Sequence, residues 1–308
     1  MEATSPTPVG GPVKIRIGVG MGVGTSTSAS AFSGLVDDLD DLGFDSLWLP
    51  EVLTAPTLDP LVGLSFAAAH NPRLKLGTTM LLPGRNPVRL AKELATLDVL
   101  SGGRLLSTFV PGLPRRPESD AAGVAASDKA GLMDEMLPLL RSLWAGETVT
   151  HHGMAAHIDG VALSPLPVQQ PLEFWIGGMV PAALRRCGRF ADGWLPSACT
   201  PAEVAAARVV IDESAAEAGR AISPEHFGVS VAYASGPLTP QVARAIGSSR
   251  RGVDPAEVVP VGIGGLRSML EEFVAVGFSK FVVRPLAPPD SWRAELEALA
   301  KGVLDLQT

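Results

Sequence analysis

Eight apolar runs of strand length, each followed by a segment of helical periodicity, restrict this 308-residue chain to very few folds. The runs occupy 14–22, 46–50, 74–81, 104–110, 173–177, 192–195, 226–234 and 280–284. Most are continuously apolar rather than alternating, which suits parallel strands covered on both faces. Between the first two runs, Phe32, Leu35, Val36, Leu39 and Leu42 recur at helical spacing and stop at Gly43. Asn86 reads as an N-cap with Pro87 in the first turn of the third helix, whose inner face is Leu90, Leu94, Leu97 and Leu100 and whose end is Gly102-Gly103. Further helices are expected over 58–70, 128–144, 181–190, 201–218, 265–276 and 291–304.

Strand and helix alternating eight times predict an α/β fold, a (β/α)8 TIM barrel whose functional face lies where the strands end. A doubly wound open sheet is the structural rival. It calls for a G-x-G-x-x-G loop after the first strand, and "GVGMGVGTS" from Gly18 matches that spacing only in part. The expected organisation is a flexible tail over 1–13 and a single barrel domain over 14–308. Two insertions interrupt it: a hairpin at about 145–171, and an excursion at 235–263 that is a candidate lid over the functional face.

Composition removes several classes of function. A net charge of −7 disfavours nucleic acid as a partner. No uninterrupted apolar stretch has membrane-spanning length, and the N-terminus lacks the pattern of a secretory signal. Cys187 and Cys199 are too few for a disulfide framework and lack metal-ligand spacing, so no metal site is expected and the location is read as cytoplasmic.

Two blocks in the right order carry a resemblance: "GTTMLLPGRNPVRLAKELATLDVLSGGRL" from Gly77, and "SPLPVQQPLEFWIGGMVPAALRRCGRFADGWLP" from Ser164. Spanning about Gly18 to Val283, the sequence resembles the luciferase-like monooxygenase superfamily, in particular its deazaflavin (coenzyme F420)-dependent branch. The resemblance implies a barrel of the bacterial luciferase-like type, usually a homodimer, holding F420, or alternatively FMN, at the strand C-termini. It implies an oxidoreductase that moves a hydride between the deazaflavin and a small organic substrate. An FMN-dependent monooxygenase and a cofactor-binding barrel without turnover are the alternatives.

Residue roles follow from the same match. The end of the third strand would swell at Thr79–Met80, with a non-proline cis bond there backing the cofactor ring. Gly177, Gly178 and Met179, ahead of the helix opening at Pro181, would approach the cofactor's phosphate or ribityl tail, because glycine permits close backbone approach. After the fourth strand only Gly112 falls on the family's glycine-rich pattern, with Thr108 and Val110 replacing glycines; Arg115 and Arg116 would meet an acidic tail or lie in a solvated loop. Relatives often place an acid and then a histidine after the second strand. Here these are Glu51 and Val52, which leaves Glu51 as the expected catalytic group. Arg284 suits an anionic substrate group, or a salt bridge to a neighbouring loop, and Trp48 and Trp194 are candidate walls of the substrate pocket. The apolar and alanine-rich "LVGLSFAAAH" after Pro60 offers more apolar surface than one helix face can hide, consistent with a dimer.

Overall fold

The computed structural model describes residues 13–112, 118–250 and 252–308, so the expected tail (except Val13) and Arg115 and Arg116 lie outside the described residues. The strands are β1 (Arg16–Gly20), β2 (Ser46–Pro50), β3 (Lys75–Leu81), β4 (Leu105–Val110), the hairpin β5 (Val149–His152) and β6 (His157–Val161), then β7 (Phe174–Ile176), β8 (Gly193–Trp194), β9 (Gly228–Tyr233) and β10 (Lys280–Pro285). All but the hairpin form one parallel sheet in the order β8-β7-β4-β3-β2-β1-β10-β9. Parallel bridges Trp194–Phe227 and Ser197–Ser230 join its two edges. The sheet is therefore a closed barrel, and the open-sheet rival is excluded.

Around it run α1 (Ala29–Asp41), α2 (Pro60–His70), α3 (Pro87–Ser101), α4 (Glu118–Ala121), α5 (Lys129–Trp144), α6 (Pro181–Phe190), α7 (Pro201–Glu217), α8 (Pro240–Ser249), α9 (Pro255–Val258), α10 (Gly262–Ala275) and α11 (Trp292–Val303). Their ends obey local chemistry. Asn86 Oδ1 accepts from the Val88 and Arg89 amides, and Gly102 closes α3 in the left-handed conformation at φ 68°. Thr200 and Glu203 form a reciprocal capping box on α7. In α5, Pro138 lies within a helix whose buried face, Leu132, Met136, Leu139, Leu140 and Leu143, continues on both sides of it. No helix among the described residues is long and apolar enough to cross a membrane.

Strand alternation sorts the side chains into two cores. Ile17, Val19, Leu47, Leu76, Phe109, Ile176 and Val283 point outward into the main core between sheet and helices. Trp48, Leu195 and Val282, with Leu106 and Trp175, point inward and form a separate cluster in the lumen. Two indoles occupy the lumen because glycines on neighbouring strands make room for them. A Cβ on Gly77 would stand 2.1 Å from the Trp48 ring, and one on Gly193 would stand 2.4 Å from that of Trp175.

The third strand departs from expectation. It pairs regularly with β4 through Thr79–Thr108, Met80–Phe109 and Leu81–Val110, so it does not swell. The cis peptide bonds among the described residues are Ser164–Pro165 and Gln170–Pro171, and Thr79–Met80 is not one of them. Its threonines have local duties instead: Thr78 Oγ1 donates to Leu49 O at 3.0 Å, a hydrogen bond that ties β3 to β2.

Both insertions fold. Glu135 on α5 accepts from His151 Nε2 at 2.7 Å and from the Met154 and Ala155 amides, anchoring the expected hairpin. The 235–263 excursion contains α8 and α9, packed on a small core of Ala234, Val258 and Val259, and α10 starts at Gly262 rather than at 265.

Candidate functional site

A cavity of about 200 Å³ opens where the barrel strands end. Trp48, Leu195 and Val282 give it an apolar floor, Gly20, Gly177 and Gly178 lie on its rim, and Thr79, Ser197, Ser230 and Arg284 supply its polar groups. The floor separates it from the lower half of the lumen, so solvent reaches it from above.

Arg284 closes β10 and faces the cavity. Gly20 makes this possible: a Cβ there would sit 3.3 Å from the Arg284 Cβ. Of the two readings of this residue, the salt bridge to a loop does not form, since the guanidinium has no carboxylate partner among the described residues. Burial holds its pKa below the usual arginine range. An anion in the cavity would supply the missing charge.

Three hydroxyls join it. Thr79 faces inward from β3, Ser230 from β9, and Ser197 from the segment after β8. Ser197 is brought beside β9 by the Ser230 amide, which donates to Pro196 O at 2.8 Å. The next residue, Ala198, is the one non-glycine residue among those described with positive φ, at 51°. That conformation costs an L-residue about 1 kcal/mol, and it directly follows the lining residue Ser197. Sequence reasoning missed both serines. The available signal was a polar residue on the inward phase of an apolar strand, "GVSVAY" in β9.

The glycine pair makes the rim. The Gly177 amide donates to Phe109 O at 3.1 Å, which extends the β7–β4 pairing. Gly178 adopts φ 107°, and its carbonyl accepts from Trp194 Nε1 at 3.0 Å. Trp194 corrects an expectation: it is fully buried, points outward into the main core, packs edge-on against Phe278, and does not wall the cavity. Its role is to hold the glycine turn from behind. Met80 and Met179 likewise pack in or against the main core, so neither thioether lines the cavity. Gly112, at φ 76°, lies against Leu81 and Lys129 and is not part of the lining. At α6 the Ala183 and Leu184 amides both turn back to Val180 O, leaving fewer free donors at that helix start than expected.

Glu51 is 9% exposed but turned away from the cavity. Its Oε2 accepts from the Leu81 amide at 2.7 Å, and its Oε1 pairs with Arg85, whose Nε also reaches Leu81 O. The carboxylate thus clamps the ends of β2 and β3 to the turn before α3. Replacing it with glutamine keeps an acceptor but breaks the ion pair. Glu51→Gln is expected to cost about 2 kcal/mol in urea unfolding; a variant as stable as the parent would show that the clamp carries no weight.

Among the described lining residues there is no carboxylate, imidazole or thiol. Burial pushes the Cys199 thiol up to about 12 and that of Cys187 higher still, which removes both as nucleophiles. His70, His151 and His152 pair with Asp37, Glu135 and Asp159 outside this cavity. Among the described residues no group of three or more His, Cys, Asp or Glu could hold a metal ion.

A closed parallel barrel with a floored cavity among its strand ends defines the class of (β/α)8 barrels. Within that class the chain belongs to the luciferase-like monooxygenase family, which matches residues 12–254. It is 27% identical over 196 residues to an F420-dependent glucose-6-phosphate dehydrogenase of Microbacterium testaceum, covering 59% of this chain and 57% of that protein. The chain spans about half the length of the curated relatives it matches. Its fold is that of the coenzyme F420-dependent tetrahydromethanopterin reductase of Methanopyrus kandleri, with a TM-score of 0.76, 18% identity, and coverage of 96% of this chain and 100% of that one. It is equally like the monooxygenase RslO1 of Streptomyces bottropensis, with a TM-score of 0.75, 22% identity, and coverage of 95% and 99%.

Proposed function

We propose that this chain is an oxidoreductase that binds coenzyme F420 in the cavity at the strand C-termini and moves a hydride between it and a small organic substrate. The observation that carries the reading is the Arg284 guanidinium, without a carboxylate partner among the described residues, beside the Thr79, Ser197 and Ser230 hydroxyls, in a cavity floored by Trp48 and rimmed by Gly177 and Gly178. F420-dependent relatives support the choice of cofactor. The residues fit a planar group: the indole gives a flat apolar wall, and the glycine rim leaves a path for a substituent.

When bound, the deazaflavin supplies the hydride-carrying carbon. The chain does the rest. Arg284 holds a negatively charged group of substrate or cofactor, Ser197 and Ser230 donate hydrogen bonds to a substrate oxygen, and Trp48 with Leu195 and Val282 excludes water from below. Glu51 positions Thr79 through the β2–β3 clamp: the Glu51 amide donates to Thr79 O at 2.8 Å.

FMN is the second reading of the cofactor, since the family includes flavin monooxygenases. The missing acid–base group among the described lining residues favours a third, binding without turnover. Titrating apo-protein with F420 and with FMN by fluorescence, then assaying a substrate panel, separates the three. Tighter FMN binding would overturn the F420 reading; binding of F420 with no turnover of any substrate would overturn the enzymatic one.

Gly178→Val is expected to abolish cofactor binding, because the residue stands on the rim at φ 107°, a conformation that a β-branched L-residue adopts only under strain. Thermal unfolding of the same sample shows whether the barrel persists. A folded Gly178→Val protein that binds F420 like the parent would route the cofactor elsewhere.

A homodimer through α2 and α3 belongs to the same proposal. Val62 is 71% exposed, and Leu100, expected on the inner face of α3, instead lies one step off its buried stripe and is 69% exposed, with Phe66 and Val99 also at the surface. Sedimentation is expected to give twice the 32.0 kDa of one chain; a monomer at micromolar concentration counts against it.

A further inference from the structure

A second cavity, of about 390 Å³, opens at the opposite end of the barrel, beneath the same indoles. Trp48 walls both cavities, and Trp175, Leu106, Leu195 and Val282 complete the apolar roof of the lower one. The barrel interior is ordinarily filled by layers of side chains. Here the strand starts leave open space under the tryptophans, within the size range of small-molecule sites.

The mouth of this cavity departs from the character of the chain. Five Lys and Arg side chains line it against three carboxylates, Asp45, Glu173 and Glu225, whereas the whole chain carries a net charge of −7. Arg104 has no carboxylate partner among the described residues; its guanidinium is held by the carbonyls of Ser101, Leu74 and Ala68. Arg16 and Lys75 share the single carboxylate of Asp45, at 3.5 and 3.1 Å. Lys280 Nζ lies 3.7 Å from Glu225. Burial chiefly holds the Lys280 amine below the usual lysine range; Arg16 and Lys75 push the same way, while Glu225 opposes. Arg73 is paired with Asp40, outside the lining. The other four cations, Arg16, Lys75, Arg104 and Lys280, face the three carboxylates of the lining, and Arg16 and Lys75 lie close enough to Lys280 to repel it.

We propose that this lower cavity is a binding site for a small planar anion, an aromatic carboxylate, with its ring against Trp48 and Trp175 and its carboxylate among Arg16, Lys75 and Lys280. The two halves of the cavity select the two halves of such a ligand. The indoles offer apolar area and ring contacts, and the rim offers a surplus of positive charge at reduced solvent access. A neutral ring would leave the rim unmatched, and a small aliphatic anion would leave the roof unfilled. The site is independent of the proposed hydride transfer, which uses the other end of the barrel.

Calorimetric titration of the full chain with benzoate, benzamide and acetate tests this. Benzoate is expected to bind with a Kd of about 1 mM or tighter. Benzamide and acetate are expected to bind about 10-fold more weakly or not at all. Lys280→Gln and, separately, Lys75→Gln should each weaken benzoate about 10-fold, with two positions guarding against one variant misfolding. Arg284→Gln, in the upper cavity, should leave benzoate binding unchanged. The proposal is overturned if benzoate binds no better than benzamide, if both lysine variants bind it like the parent, or if Arg284→Gln removes the binding, which would place the anion in the upper cavity.

Discussion

Gly77→Ala is expected to destabilise the barrel by about 3 kcal/mol, the upper end of what overpacking a filled interior costs. The added methyl would fall 2.1 to 2.7 Å from three atoms of the Trp48 ring, and no real Cβ tolerates that. The ring has little freedom to yield. Its Nε1 donates to Ser46 Oγ at 2.9 Å, and a Cβ on Gly18 would already approach its other side at 3.1 Å. Trp48→Leu in the Gly77→Ala background should recover much of the loss, because the clash disappears with the ring. Urea unfolding of the two single variants and the double variant measures this. Simple additivity of the single effects would show that the glycine and the indole do not share one space.

Arg284→Met is expected to act in opposite directions on stability and on binding. The guanidinium is half-buried in the cavity wall and has no carboxylate partner among the described residues, so exchanging it for an apolar side chain of similar length removes an uncompensated charge. Thermal stability should rise by about 1 kcal/mol, as it does when a functional group that strains the fold is removed. Affinity for the anionic ligand should fall about 100-fold, the scale seen when one member of an enclosed charge pair is truncated. A lower melting temperature would assign Arg284 a structural role instead, and an unchanged KM or Kd would remove it from the binding site.

These two residues show how far the sequence could be read. Arg284 was legible because its position, the last inward-facing residue of an apolar strand, carries meaning in any barrel of this kind. Its lack of an ion pair was not legible, since that depends on what the loops above it bring. Gly77 was invisible as a packing residue. Its partner Trp48 lies 29 positions earlier in the chain, and only the β2–β3 register, Trp48 opposite Gly77, places one over the other.

Glu51 and Trp194 show the same boundary from the other side. Both were candidates because they stand at strand ends, and both do stand there. Side-chain direction decided the outcome. Trp194 falls on the outward phase of β8 and supports Gly178 from the core, and Glu51 turns toward Leu81 and Arg85. A strand end fixes where a backbone arrives, but a shift of one residue in phase exchanges cavity for core.

Sequence by itself therefore determined the parts governed by local periodicity and local chemistry. These are the eight barrel strands, the helices with the Asn86 cap on α3, and the hairpin insertion. Tertiary structure alone decided which side chains meet. It chose regular pairing for Thr79–Met80, paired Ser197 with Ser230, plugged the lumen with two tryptophans over glycines, and left one cavity above them and another below. The reason is physical. Helix caps and strand runs depend on residues a few positions apart, whereas cavity walls depend on register and phase between strands tens of residues apart, which closure of the barrel sets all at once.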